Sequence, residues 1–147
     1  MPPIGFGVVN NDGSQQTIKV DQPINRQSEF SIIVKNTGNV PDNFIITSNS
    51  TVNSKWKVGI FDIGGKDYTK EVYNGGWLLS ALRPGESVKL FLRIVTYSGQ
   101  VIDVNNPPTQ TINTTAYSRN DIAKNAATLA SDTVTATAVL TKVSGIK

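Results

Sequence analysis

The ten residues Ser87-Val88-Lys89-Leu90-Phe91-Leu92-Arg93-Ile94-Val95-Thr96 decide the fold. Val88, Leu90, Leu92 and Ile94 fall on every second position, with Lys89 and Arg93 between them. A period of two is that of a β-strand with one buried face, whereas a helix would repeat at three and four. Phe91 and Val95 share the charged face, either as ordinary exposed apolar side chains or as a contact for a neighbouring domain. The strand is preceded by Arg83-Pro84-Gly85-Glu86, where proline presets φ and glycine supplies the permissive position of a tight turn. It is followed by a loop over residues 98–108 that contains Asn105-Asn106-Pro107-Pro108.

The same alternation appears on both sides of this strand. Residues 29–36 place Phe30, Ile32 and Val34 on one face and end in Asn36-Thr37-Gly38-Asn39, a reversal that predicts a hairpin with the next strand. That next strand, residues 42–48, turns Phe44 and Ile46 inward. A polar loop, residues 49–54, leads to residues 55–60, where Trp56, Val58 and Ile60 alternate and Trp56 reads as core. Residues 68–73, between Gly64-Gly65 and Asn74-Gly75-Gly76, suggest a short strand. Residues 109–118 form another, and residues 132–143 alternate Val134, Ala136, Ala138 and Leu140 against threonines, the small inward alanines implying two closely spaced sheets. Residues 17–20 read as an edge strand stopped by Pro23, residues 1–14 as an irregular lead-in, and residues 121–129 as the one stretch able to form a helical turn.

About seven strands, separated by turn signals every 8 to 12 residues or so, predict an all-β domain, best an immunoglobulin-like β-sandwich over residues 15–147, with a jelly roll as competitor. No strand alternates with a long helical pattern, which argues against an α/β fold. At 147 residues the chain is one domain, large enough to hold an ordinary core.

Composition narrows the chemistry. The chain has no cysteine and no histidine, so there is no thiol nucleophile, no disulfide, no Ser-His-Asp triad and no imidazole or thiolate metal site. Fourteen Lys and Arg stand against eleven Asp and Glu, scattered singly, without the basic stripe that tracks phosphates, so no nucleic-acid partner is expected. Thr, Ser, Asn and Gln make up 47 of the 147 residues, an uncharged polar surface suited to an extended β domain. No apolar run approaches the roughly 20 residues of a membrane helix, so no direct membrane insertion is expected. The start carries no signal-peptide pattern, and the chain reads as a domain of a longer polypeptide.

In order along the chain, Phe30-Ser31-Ile32-Ile33-Val34-Lys35-Asn36-Thr37-Gly38-Asn39-Val40-Pro41-Asp42-Asn43-Phe44, Lys55-Trp56-Lys57-Val58, Asp67-Tyr68-Thr69, Gly76-Trp77, Leu82-Arg83-Pro84-Gly85-Glu86-Ser87 and Asp132-Thr133-Val134-Thr135-Ala136 resemble the immunoglobulin-like repeats of bacterial and archaeal cell-surface proteins. The resemblance spans about residues 15–143. It implies a secreted or surface-anchored module with a spacer or adhesive role and no activity of its own. Its partners would be neighbouring domains of the same polypeptide, with polysaccharide or another surface protein as further possibilities. The loop at residues 98–108 and the insertion at residues 121–129 depart from the repeats.

Three sharper functions can be tested on the residues. Asp62 and Asp67 flank Gly64-Gly65 and would be the acid/base pair of an enzyme, but turns favour Asp and Gly without any catalysis, and no enzymatic activity is expected. Calcium could draw oxygen ligands from Asp62, Asp67, Asp103, Asp121 or Asp132, with a weaker hint at Asn11-Asp12-Gly13, although no segment has the acidic alternation of a calcium loop; no cofactor or metal is assigned. Carbohydrate binding would use exposed aromatics among Trp77, Tyr73, Tyr68, Tyr97 and Tyr117, and a carbohydrate-binding accessory module is the alternative to the structural reading. Exposure of Trp77 and Tyr73 on one face would favour sugar, and burial the spacer. Asn49-Ser50-Thr51 and Asn113-Thr114-Thr115 fit the N-glycosylation pattern, of consequence only in a glycosylating host. Lysines on the strands at residues 17–20 and 55–60 guard sheet edges, and an edge left open would offer a route to strand addition.

Overall fold

Strand β7 (Ser87–Thr96) is the spine of the structure, a computed structural model that describes residues 7–9, 15–21, 27–96, 105–119 and 131–141. Its alternation does what the sequence predicts: Leu90, Leu92 and Ile94 are fully buried, and Lys89 is exposed. It pairs antiparallel on one side with β3 (Gln27–Lys35), over nine positions, and on the other with β5 (Trp56–Phe61), over six. With β1 (Gly7–Val9) beyond β3, the first sheet has the order β1-β3-β7-β5. The second sheet is β2 (Gln15–Asp21), β9 (Ser131–Thr141), β8 (Thr109–Ser118), β4 (Phe44–Thr47) and β6 (Trp77–Leu78). Naming the strands A to G, β1-β3-β7-β5 is the A-B-E-D sheet and β9-β8-β4 the G-F-C sheet of an immunoglobulin-like sandwich. β2 lies parallel to β9 at the outer edge of the second sheet.

The core follows from the inward faces of both sheets. Phe30, Ile32 and Val34 of β3, Phe44 and Ile46 of β4, Trp56 and Ile60 of β5, and Val134, Ala136, Ala138 and Leu140 of β9 are all buried. Ala136 and Ala138 face inward, as the sequence predicts. The outer face of β8 and β9 carries instead a ladder of cross-strand hydroxyl bonds, Thr111 to Thr137 at 2.9 Å and Thr115 to Thr133 at 2.8 Å, with Thr135 Oγ1 donating to Asn113 Oδ1 at 2.7 Å.

The described residues include nine strands, where the sequence predicts about seven in the same sandwich. Three expectations are corrected. Residues 7–9, read as part of an irregular lead-in, pair with β3. The reversal at Asn36-Thr37-Gly38-Asn39 does not make a hairpin, because β3 and β4 lie in different sheets. The Asn36 side chain is buried and locks a crossover: Nδ2 donates to the carbonyls of Val40 and Leu82, each at 2.8 Å, and Oδ1 accepts from Gly38 N. Asn36 N donates to Glu86 O, and an isolated bridge joins Asp42 to Leu82. Two connections therefore cross between the sheets side by side.

The third correction is residues 68–73, which form one turn of helix, α1 (Thr69–Tyr73), rather than a strand. Asp67 Oδ1 accepts from both Thr69 N and Thr69 Oγ1, an Asx-turn that folds the chain back before it can extend. Val72 N then bonds Tyr68 O, and Val72 is buried. The helical turn expected at residues 121–129 and the loop at residues 98–104 lie outside the described residues. Among the described residues no helix is long and apolar enough to cross a membrane.

Candidate functional site

β5 ends at Phe61, opposite Phe91, so among the described residues Ser87–Leu90 of β7 have a strand partner on the β3 side alone. The chain leaves the sheet through Asp62-Ile63-Gly64-Gly65, a turn closed by Gly65 N to Asp62 O and by Lys66 N to Asp62 Oδ1. Gly65 takes a φ of 89°. The chain returns at Asp67, which bridges back to Phe61, and Tyr68 N and Thr69 Oγ1 then bond the backbone of Ile60, sealing the outer edge of β5 there. In the opposite sheet β6 pairs with β4 over two residues only. Gly76, at a φ of 117°, permits this close start, since a Cβ there would sit 2.3 Å from Ile45 Cγ2.

Between these two short edges lies a cleft of about 340 Å³. Its walls are Tyr68, Trp77, Leu79, Leu82, Val88 and Leu90; Asp62 and Ser80 supply its polar margin. The rings of Tyr68 and Trp77 stack with centroids 4.0 Å apart and planes 5° from parallel. Lys66 Nζ lies 5.2 Å from the centre of the Tyr68 ring, within cation–π range. On the lips stand Ile63, 72% exposed, and Leu78, 48% exposed. Of the three large apolar side chains exposed among the described residues, these two belong to the cleft.

A shallower hollow of about 250 Å³ lies on the outer face of the first sheet, lined by Lys57, Phe61, Asp67, Arg93 and Val95. Phe61 folds over Gly59, whose missing side chain makes the room: a Cβ would lie 2.5 Å from the ring. The Arg93 guanidinium sits 4.2 Å from the centre of the Phe61 ring and pairs with Glu29 at 2.8 Å. Phe91 and Val95 are half-buried on this face.

The carboxylates singled out in the sequence are occupied locally. Asp62 Oδ1 caps the turn at Lys66 N, and Asp67 holds Thr69. The Thr69 hydroxyl first, and then the Thr69 N–H, hold the Asp67 carboxyl below its ordinary value, against a smaller opposing effect of burial. Glu86 is lowered in the same way, chiefly by Arg83 N–H and then by the Arg83 side chain. Among the described residues no three acidic side chains gather into a metal-binding group. Asp12, Asp103, Asp121 and the Asp132 side chain lie outside the described residues.

The aromatic candidates divide. Trp77 is only 8% exposed, and Trp56 lies in the core as expected. Tyr73 is half-buried, its hydroxyl 3.5 Å from Ser48 Oγ, and Tyr117 is half-buried on β8. Tyr97 lies outside the described residues. Trp77 and Tyr73 thus do not form an exposed, coplanar platform. Sequence reasoning missed the cleft itself. Its one signal was Ile63, an isolated large apolar residue in a turn of Asp and Gly, where a solvated loop has no use for it.

No protein-family model matches the chain, and no curated protein matches it by sequence. Solved structures do resemble it. The N-terminal domain of PorA superposes with a TM-score of 0.53 at 13% identity, covering 90% of both chains. The PapD-like domain 7 of human CEP192 gives 0.51 at 10% identity over 97% of this chain and 91% of that one. The CupB6 tip adhesin of Pseudomonas aeruginosa gives 0.50 at 10% identity, covering 95% of this chain and 44% of the adhesin. These likenesses establish the fold: the chain is an immunoglobulin-like β-sandwich.

Proposed function

We propose that the chain is a non-enzymatic structural or adhesive module of a secreted or cell-surface protein, and that it meets its partner at the side cleft. The observation that carries this reading is the pairing of Ile63 and Leu78, exposed on the lips, with apolar walls beneath them. Exposed apolar groups that continue into a concave surface mark interaction sites, whereas scattered ones do not. The tip adhesin among the similar structures supports an adhesive role, and the sequence resemblance to surface repeats supports the location. Burial of Trp77 beneath Tyr68 weighs against the alternative, a carbohydrate-binding accessory module.

The test uses the full-length protein, epitope-tagged, in its own cells. Labelling of intact cells is expected, and labelling only after permeabilisation overturns the surface placement. The purified domain should adhere to those cells, and the double variant Ile63→Ser with Leu78→Ser should keep the melting temperature while losing most of the adhesion. Adhesion unchanged in a folded double variant would remove the cleft from the function.

A further inference from the structure

We propose that the partner at the cleft is an extended segment of another chain, apolar on one face and acidic on the other. It adds as a strand beside Ser87–Leu90, in the lane where β5 stops. This rests on the reading of the cleft as the binding surface and names the chemistry of what binds.

The lane has backbone to offer. Glu86 O bonds to Asn36 on the β3 side, and the side alternates along a strand, so the N–H and C=O of Ser87 and Lys89 face away from β3. The same phase follows from β5, where Ile60 bonds outward to Tyr68 and Thr69, which leaves Phe61 turned toward Phe91. No hydrogen bond to the backbone of Ser87 or Lys89 comes from the lane side among the described residues, and both residues are exposed. An incoming strand would take up these groups, and its inward side chains would enter the cleft over Val88, Leu90 and the Tyr68–Trp77 stack.

Charge fixes the other face. Lys89 stands on the outer face of the lane, and its cross-strand neighbour on β3 is Ile33. The acid farther along that face, Glu29, is committed to Arg93, and Glu86 to Arg83. Lys66 Nζ lies over the Tyr68 ring of the cleft wall. Neither Lys66 nor Lys89 has an ion-pair partner among the described residues. Opposite charges directly across a strand pair stabilise it and like charges oppose it, so the complementary segment carries Asp or Glu facing outward between apolar residues facing inward.

The probe is a capped peptide of about ten residues alternating Glu with Val and Leu, compared with one in which Lys replaces Glu and with one N-methylated along the bonding edge. Titration against the labelled peptides, with amide exchange read at Ser87 and Lys89, should show binding of the acidic peptide, slowed exchange at those two amides, and loss with N-methylation. Lys89→Glu, an exposed change, should weaken the acidic peptide about fivefold or more and reverse the preference toward the Lys peptide. Equal binding of both charges, binding that survives N-methylation, or no binding overturns the proposal. Concentration-dependent dimers that vanish with Leu78→Ser would also overturn it and give the cleft to a second copy. If the peptides fail while cell adhesion still depends on Ile63 and Leu78, strand addition falls alone; if both fail, the reading of the cleft falls with it.

Discussion

The corner at Asn36 and the cleft at Ile63 lie side by side and share Leu82, yet one is shut and the other open. At the corner Leu82 bridges Asp42 through its backbone, and the Asn36 amide reaches across to its carbonyl. Two crossing connections supply each other's hydrogen bonds, and the Asn36 and Asp42 side chains are buried there despite their polarity. At the cleft the Leu82 side chain is one wall among several, and the neighbouring strand edges end without strand partners among the described residues. Apolar side chains alone do not close a sandwich. Backbone groups at a sheet edge need partners, and where the chain brings none the edge stays available to another molecule.

An open side is a distinct feature only beside a tightly packed core. Leu92→Ala tests this most forcefully. Leu92 is fully buried between Phe30 and Ile60 in register, so its truncation should cost about 2 to 5 kcal/mol through lost burial and a cavity, measured by urea unfolding. A cost well below that range would mean that the sheets are loosely packed, and the contrast between corner and cleft would lose its basis.

Asn36→Ala attacks the corner directly. Three side-chain hydrogen bonds go, at roughly 0.5 to 1.5 kcal/mol each, but Leu82 O keeps Asp42 N at 3.1 Å, which points to a loss of about 2 kcal/mol. The same urea titration reads it. A loss under about 0.5 kcal/mol would assign closure of the corner to the backbone bonds and the turn at Arg83–Glu86, with the amide incidental.

The sequence made the long strands legible because alternation records burial directly. Phe30, Ile32 and Val34, or Val134, Ala136 and Ala138, could face only one way. It could not reveal where a strand stops relative to its neighbour. β5 pairs with β7 from Trp56 to Phe61, and the four residues left uncovered, Ser87–Leu90, alternate as regularly as the rest. Nor could it separate a hairpin from a crossover at Asn36. The local turn chemistry suits both, and the deciding bonds come from Leu82 and Glu86, more than forty residues away. Trp77 was undecided for the same reason: its burial depends on the Tyr68 ring, placed by a helical turn that the residue pattern 68–73 disguised as a strand. Local pattern encodes which face is buried, and the cleft arises from long-range endings.

The smallest effect is expected at the lip of the cleft. Asp67 closes the bridge to Phe61 and starts α1, so it holds Tyr68 against Trp77 without itself being part of the wall. The Thr69 hydroxyl and then the Thr69 N–H hold the folded-state pKa of Asp67 below its ordinary value, which means that the ionised carboxylate is favoured in the folded protein. For a depressed acid the stabilisation is present above the unfolded pKa and is lost as pH falls through the folded one. The group is largely solvated, so screening leaves a contribution of about half a kcal/mol or less. Asp67→Asn retains the side-chain oxygen and forfeits the charge. Melting curves from about pH 6 to about pH 2.5 should show the difference between wild type and variant shrinking toward the acid end. A difference that stays constant across that range would mean that the carboxylate charge contributes nothing to the turn, and that the lip is held by the backbone bonds of Ile60 and by the aromatic stack.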